Sequence, residues 1–156
     1  MYGVSKIGSE ENIMLVTFPS ARYSTKSLAD YLNAFAKAGV IVDMICQSTP
    51  RSDAVDFSFS ASYSAFPTVM KVLPEVTAEG APAPLISGGY AKINLFGEEM
   101  VNSSGVAARV LSALAESSIE ISMITTSELD ISLLVHESDV DNALQALNKA
   151  FALQSS

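Results

Sequence analysis

The chain shows the same pattern of apolar and polar positions twice. Residues 27–45 align with residues 106–124 without a gap. After a longer loop in the first copy, residues 56–59 align with residues 130–133. Internal similarity of this kind indicates a repeated structural unit. Two copies of roughly 70 residues each therefore predict two small domains.

Each copy reads as strand, helix, strand, strand, helix. The first helix of each copy carries one apolar stripe, formed by Leu28, Tyr31, Leu32 and Phe35 in the first copy and by Val106, Val110, Leu111 and Leu114 in the second. Gly39 stands where the residue after a helix is expected, and Ser138 is the predicted N-cap of the last helix. The predicted strands are 13–18, 40–46 and 54–59 in the first copy and 92–96, 119–124 and 129–135 in the second, and the closing helices are 66–73 and 139–151.

The order βαββα, taken twice, predicts an α+β fold of two ferredoxin-like βαββαβ domains. Each domain would have an antiparallel sheet with both helices on one face. We expect the first domain to span residues 10–87, with a proline-rich linker at 74–84, and the second to span residues 88–156.

The last strand of each domain has to come from a separate segment. Residues 84–87 are the candidate in the first domain, and Gly88-Gly89 after them reads as a turn. Little chain remains after Leu153 for the second domain. We therefore predict that residues 2–8 supply its last strand, so that the first domain is inserted into the second.

The composition limits the function classes that remain open. A net charge of −8 with no Lys/Arg-rich run argues against a nucleic-acid partner. The longest apolar stretches are too short for a membrane span, and the single Cys46 fits a reducing compartment. We expect a soluble, cytoplasmic, acidic protein.

Several strings in the repeat resemble the regulatory ACT domains of aspartokinases. Residues 124–132, ITTSELDIS, resemble the "ISTSE-x-x-IS" signature of the second ACT domain. Residues 42–48, VDMICQS, resemble the "IDM-x-x-QN" strand of the first, and residues 105–108, GVAA, match the "PGVAA" helix start. Residues 135–153 resemble the C-terminal helix of that family. The resemblance spans nearly the whole chain.

The resemblance implies a role in feedback control. Aspartokinases phosphorylate aspartate with ATP, and their kinase domain precedes the ACT pair with a Lys-Phe-Gly-Gly-Thr type motif that this sequence lacks. The chain would then be a regulatory part of a longer kinase or a natural small subunit. Expected partners are an end-product amino acid (lysine, threonine or diaminopimelate), a second chain paired side by side through ACT domains, and an aspartokinase catalytic domain or subunit. No cofactor, metal or catalytic residue is expected.

The resemblance also places the effector between a β1–α1 loop and a neighbouring β2 strand. A helix start offers unpaired N–H groups and partial positive charge to a carboxylate. The candidate residues are Met100, Asn102, Ser103, Ser104, Gly105, Val106, Ala107, Thr125, Thr126 and Ser127 in the second copy, and Tyr23, Ser24, Lys26 and Gln47 in the first. The first loop departs from the family's Asp-x-Pro-Gly, and Ser103-Ser104 replace its His-Pro. A lysine side chain would further need a carboxylate, and Glu98, Glu99 and Glu120 are the nearest in sequence.

Other conspicuous residues have ordinary explanations. His136 is the only histidine and reads as a surface residue at a strand end. Cys46 reads as a small core residue, as do Met44 and Met123. Two further functions stay open: a dimerisation module with degenerate effector sites, and, with the least support, an independent small enzyme.

Overall fold

The computed structural model describes residues 2–22 and 24–153. Their contacts divide the chain into two compact units. Unit A is Asn12–Gly88, and unit B combines Met1–Glu11 with Gly89–Ser156. Unit A therefore contains the first copy of the repeat, and unit B contains the second.

Six strands and four α-helices follow the repeated order of the sequence. The strands are β1 (Lys6–Arg22), β2 (Ile45–Gln47), β3 (Ala54–Ser62), β4 (Leu85–Phe96), β5 (Met123–Thr126) and β6 (Asp130–His136). The helices are α1 (Thr25–Lys37), α2 (Phe66–Val76), α3 (Val106–Glu116) and α4 (Val140–Ala150). Helices α1 and α2 pack together in unit A, as α3 and α4 do in unit B.

Unit B has the strand order β1–β4–β6–β5. Strand β6 is antiparallel to both of its neighbours, so that Ser132 lies opposite Asn94 of β4 and Thr125 of β5. The alternate residues of β4 and β6 join both helices in one apolar core, whose fully buried members include Ile93, Leu95, Leu133, Val110, Leu147 and Phe151. Both helices therefore cover one face of an antiparallel sheet, which confirms the predicted α+β, ferredoxin-like fold.

Unit A repeats this plan with the strand order β2–β3–β1–β4. Its core is rich in aromatic rings. Phe35 of α1 is fully buried and meets Phe59 edge to face, with the ring centroids 5.0 Å apart. Phe18 of β1 stacks on Tyr31 with the centroids 4.5 Å apart. These rings hold α1 on the sheet, since aromatic pairs add packing energy beyond the area that they bury.

Two strands are longer than the sequence pattern predicts. β1 continues the predicted strand 13–18 in both directions, and β4 joins the predicted strands 84–87 and 92–96. The turn predicted at Gly88-Gly89 is therefore wrong. Gly89 takes φ +78 within the strand, and a Cβ on Gly88 would lie only 2.6 Å from Cε2 of Tyr63. The glycines thus accommodate a local irregularity and a close ring contact rather than a chain reversal.

Three smaller expectations are also wrong. Cys46 is exposed, because β2 has only three residues, all of them exposed at the edge of the sheet. Ser138 lies in a 3-10 turn, and Asp139 occupies the N-cap position of α4 without a side-chain cap. Helix α2 runs to Val76, so the first residues of the linker predicted at 74–84 are helical. Met44 and Met123 are buried as predicted, at 4% and 6% exposed.

Candidate functional site

The start of α3 in unit B is a helix terminus without a side-chain cap. Gly105 occupies the N-cap position at φ 81°, in the left-handed region, and no side chain makes a cap hydrogen bond there. The hydroxyl of Ser103, which could have capped the helix, instead donates to the carbonyl oxygen of Glu99 at 2.8 Å. Such a terminus presents backbone N–H groups and the positive end of the helix dipole to an anion.

A cleft of about 660 Å³ opens beside this helix start. It is lined by Tyr2, Ser103, Ser104, Gly105, Val106, Ala108, Arg109 and Ser112. The guanidinium carbon of Arg109 lies 3.9 Å from the ring centroid of Tyr2, and Nη1 of Arg109 donates to the carbonyl oxygen of Ala150 at 3.3 Å. The cleft therefore combines a cation, hydroxyl groups and a helix terminus, all of which favour a carboxylate.

Sequence reasoning identified part of this lining and missed the rest. Four of the predicted residues line the cleft together, namely Ser103, Ser104, Gly105 and Val106. Three others that were predicted with them do not line it: Met100, Asn102 and Ala107. Tyr2, Arg109 and Ser112 were missed. Arg109 and Ser112 could have been found from their spacing of four and seven residues from Gly105, which places both near the helix start. Tyr2 carries no sequence signal.

The strand residues predicted with the loop lie elsewhere in unit B. Thr125 and Thr126 belong to β5, the edge strand next to β6, and do not line the cleft. Thr125 is opposite Ser132 and is half-buried. Thr126 is opposite Ile131 and exposed. Both are therefore placed at the sheet edge, where a second protein could reach them.

Ser127 has a structural role in the turn between β5 and β6. Its hydroxyl accepts hydrogen bonds from the N–H groups of Leu129, at 3.3 Å, and Asp130, at 3.2 Å. It also donates to the carboxylate of Asp130. Hydrogen bonds from Ser127, then Asn94 and Ser132, lower the pKa of Asp130 against an opposing effect of burial. Ser127 is therefore occupied in holding this turn, which the sequence pattern did not indicate.

The equivalent helix start in unit A is closed. Ser24 caps α1, and its hydroxyl accepts from the N–H of Ser27 at 3.0 Å. Lys26 pairs with Asp30 at 3.0 Å on the exposed side of the helix. Gln47 is exposed at the end of β2, and Tyr23 lies outside the described residues. The predicted site of the first copy is thus a self-capped helix start.

The remaining charged candidates are surface residues. Glu98, Glu99 and Glu120 are all exposed. His136 is exposed at the end of β6, as predicted, and stacks on Tyr90 with the ring centroids 5.2 Å apart. Within residues 2–22 and 24–153, no three His, Cys, Asp or Glu side chains gather as metal ligands would. Among the same residues, no helix has the length and apolar character needed to cross a membrane.

Comparison with known proteins gives one consistent result. A family model described as "ACT domain" matches residues 93–151. An aspartokinase from Geobacillus stearothermophilus is 35% identical over 150 residues, which cover 96% of this chain and 36% of that protein. An aspartate kinase from Stutzerimonas stutzeri is 34% identical to this chain, and the matched region covers 30% of the length of that protein. The chain thus spans about a third of the length of the curated relatives that it matches.

Two solved structures match nearly end to end. A crystal structure of aspartokinase alpha and beta subunits has a TM-score of 0.87 and 30% identity, covering 96% of this chain and 99% of that chain. A ligand-free regulatory subunit of aspartate kinase from Thermus thermophilus has a TM-score of 0.87 and 25% identity, with the same coverage. These two chains are therefore similar to this one in both extent and fold.

Proposed function

This chain belongs to the aspartokinase family, in which it corresponds to the regulatory ACT-domain part, and we propose that it binds an end-product amino acid in the cleft at the start of α3. Binding there would control the phosphorylation of aspartate by a catalytic domain or subunit, in the biosynthesis of lysine, threonine and methionine. On this proposal unit A is the first ACT domain. Unit B is the second, completed by the N-terminal segment.

The observation that carries the proposal is the difference between the two helix starts. The N–H of Ser27 in α1 is bonded to the hydroxyl of Ser24, whereas α3 has a glycine N-cap without any side-chain cap. An open helix start beside a cleft keeps its donors available to a ligand. A capped one has already used a donor internally. The proposal therefore assigns the effector to unit B.

The ligand chemistry follows from the groups in the cleft. The carboxylate of a free amino acid fits the N–H groups after Gly105 and the guanidinium of Arg109, since a charge-assisted hydrogen bond is stronger than a neutral one. Unit B has eleven Asp and Glu against four Lys and Arg residues, a formal difference of −7. This acidic field favours a ligand with an additional cationic group. We therefore propose lysine ahead of threonine.

The α-ammonium group of the amino-acid ligand needs hydrogen-bond acceptors, and the cleft supplies only some of them. The hydroxyls of Ser103 and Ser104 are available acceptors on one side. Thr125 and Thr126 lie on an edge strand, so a second chain paired side by side could bring its own threonines to the ligand. The proposed assembly is a homodimer in which each effector is bound partly by a neighbouring ACT domain.

Titration calorimetry with lysine, diaminopimelate, threonine and methionine tests the proposal. We expect one of these amino acids to bind and to raise the thermal midpoint, because a ligand at one hundred times its dissociation constant adds about 2.7 kcal/mol. Arg109→Gln should weaken binding. Lys149→Gln, which removes a cation from α4 of the same unit, is the matched control and should not. Absence of heat and of a thermal shift with all four would refute amino-acid sensing.

A second function is supported by the closed site in unit A. Ser24 caps α1 and Ser127 is committed to a turn, so two positions of the expected effector machinery serve the fold instead. The chain could then act as a dimerisation module for an aspartokinase. This alternative requires a stable association that is indifferent to amino acids, and calorimetry combined with sedimentation separates the two functions.

A further inference from the structure

Tyr2 forms part of the cleft at the start of α3, although it belongs neither to the loop nor to the helix. It lines the cleft together with Arg109 and the serines of the loop. The guanidinium carbon of Arg109 lies over its ring, 3.9 Å from the ring centroid. A guanidinium in this position is attracted by the negative face of the ring. Tyr2 is therefore in contact with the one cation among the described residues that line the cleft.

Within the described part of the chain, Arg109 is held by neutral groups. Besides the contact with the ring of Tyr2, its Nη1 donates to the carbonyl oxygen of Ala150 at 3.3 Å. The single ion pair found among residues 2–22 and 24–153 joins Lys26 and Asp30, so none of the described carboxylates pairs with Arg109. Its positive charge therefore remains available to an anionic ligand.

The ring contact leaves most hydrogen-bond donors of Arg109 available. The five N–H groups of a guanidinium lie in its plane, whereas a ring beneath the central carbon contacts the face of that plane. One donor is used by the carbonyl oxygen of Ala150, and the others can accept a ligand at the edge of the plane. A side chain that is already ordered in this way lowers the entropic cost of binding a carboxylate.

The position of Tyr2 is fixed by the residues that follow it. Tyr2 and Gly3 form a turn, with φ values of 49° and 91°. A Cβ on Gly3 would lie 3.2 Å from Cβ of Ser103 and 3.2 Å from Cγ2 of Val106, so this backbone packs directly on the helix start. The next side chain, that of Val4, is fully buried. The turn therefore holds the ring beside α3, although Tyr2 is 57% exposed.

We propose that Tyr2 is a positioning residue for the effector and that it acts through Arg109. Its ring orders the guanidinium beside the helix start, and the ordered guanidinium binds the carboxylate of the amino acid. This role rests on the proposed function, because it requires an amino-acid carboxylate in the cleft. The hydroxyl of Tyr2 has no part in it, so a phenylalanine at this position should serve equally well.

Two other roles of Tyr2 make different predictions. If the ring competed with the ligand for Arg109, removal of the ring would strengthen binding. If Tyr2 only helped to dock the N-terminal segment, its removal would affect binding whether or not Arg109 was present. The positioning role alone predicts weaker binding that depends on the guanidinium.

Titration calorimetry of wild type, Tyr2→Leu and Tyr2→Phe separates these roles, with lysine, threonine, diaminopimelate and methionine as probes. Tyr2→Leu keeps an apolar side chain but removes the ring, so it should weaken binding about two- to fivefold, the range expected for an exposed cation–π contact. Tyr2→Phe retains the ring and should bind as wild type does. Tyr63→Leu, which removes an exposed tyrosine of unit A, is the matched control and should leave the affinity unchanged.

The dependence on Arg109 is tested in a second background. Arg109→Gln lacks the guanidinium, so the further change Tyr2→Leu should cause no additional loss of affinity, because residues that share one contact are not additive. Backbone amide shifts follow binding in these weaker variants. Without ligand, the ring of Tyr2 should shift the δ-proton signals of Arg109 to low frequency in wild type and in Tyr2→Phe. Tyr2→Leu should abolish that shift.

Each result decides between the roles, once circular dichroism has established that the variants are folded. Equal or tighter binding by Tyr2→Leu would overturn the positioning role. An equal loss of affinity from Tyr2→Leu in the wild-type and Arg109→Gln backgrounds would also overturn it, and both results would leave the effector site in place. Failure of wild type to bind all four probes would instead refute the proposed function, and this role with it.

Discussion

Replacing Gly97 by alanine tests how the N-terminal segment packs in unit B. Gly97 is extended, with φ −170° and ψ 126°, so alanine adopts its backbone conformation without strain. The added Cβ would nevertheless overlap the carbonyl oxygen of Gly3. It would also lie 2.8 Å from the carbonyl carbon of Gly3 and 3.0 Å from Cα of Val4. These are backbone atoms, which cannot rotate away, so the segment must move.

The cost follows from what the segment contributes. Val4 is fully buried in the core of unit B, and burial of a valine side chain contributes about 1.5–3 kcal/mol. The next residue, Ser5, donates to the carbonyl oxygen of Phe96 at 2.9 Å, and such a bond contributes about 1 kcal/mol. We therefore expect Gly97→Ala to lower the free energy of unfolding by about 2.5–4 kcal/mol.

Urea unfolding measures this difference, provided that the slope with denaturant is unchanged. Gly8→Ala is the matched control, because its Cβ enters open space. We expect that control to be neutral or slightly stabilising, by up to about 1 kcal/mol, through the unfolded chain. A Gly97→Ala protein within about 0.5 kcal/mol of wild type would refute the packing of Gly3 and Val4 against this glycine.

Other substitutions test separate parts of the structure. Ser24→Ala should lower the free energy of unfolding by about 1 kcal/mol, because it removes the cap of α1. Phe35→Ala should lower it by about 3–5 kcal/mol, because it empties the aromatic core of unit A. Ser127→Ala should cost about 1–2 kcal/mol, since the turn loses its hydrogen bonds. Urea unfolding measures all three. Hydrogen bonds from Ser127 and Asn94 lower the pKa of Asp130 in the folded protein. The ionised carboxylate of Asp130 therefore stabilises the fold at pH values above its pKa in the unfolded chain. This stabilisation is lost as the pH falls through its pKa in the folded protein. Asp130→Asn should therefore be less stable than wild type at neutral pH, with a difference that shrinks below a pH of about 4.

The repeat and the order of elements were predictable from the sequence. The apolar stripes predicted from helical spacing lie on α1 and α3, where Phe35, Val110 and Leu114 are buried. Leu111, which was assigned to the same stripe, is instead 47% exposed. Gly39 follows α1 with φ +85, as a residue after a helix should. These features depend on local periodicity and on the special conformations open to glycine. Both are encoded within a few neighbouring residues.

The lengths of β1 and β4 could not be predicted in the same way. Asn12 lies within β1 at φ 63°, and Gly89 lies within β4 at φ 78°. Such residues ordinarily indicate turns, so sequence reasoning divides each strand in two. The two strands are hydrogen-bonded neighbours in the sheet, and this pairing keeps the chain extended through both residues. Long-range pairing therefore decided the outcome against the local preference.

The loop residues of the candidate site were predictable from the sequence, but the other residues that line the cleft were not. The string from Ser103 to Val106 marks a helix start by composition alone. Tyr2 reaches the same cleft from the distant start of the chain, and no spacing rule connects them. Ser127 was assigned to ligand binding, although its hydroxyl bonds to the next few residues of its own turn. Serine is common both in binding loops and in turns, so its type does not separate the two roles.

A nuclear magnetic resonance titration tests the central claim most directly, with backbone amide signals followed as lysine, diaminopimelate, threonine or methionine is added. The account predicts that one of these ligands shifts the amide signals of Gly105, Val106 and Ala107 at the open start of α3. The capped start of α1, followed at the amide of Ser27, should remain unchanged. Shifts confined to unit A, or no shifts with any of the four amino acids, would contradict it.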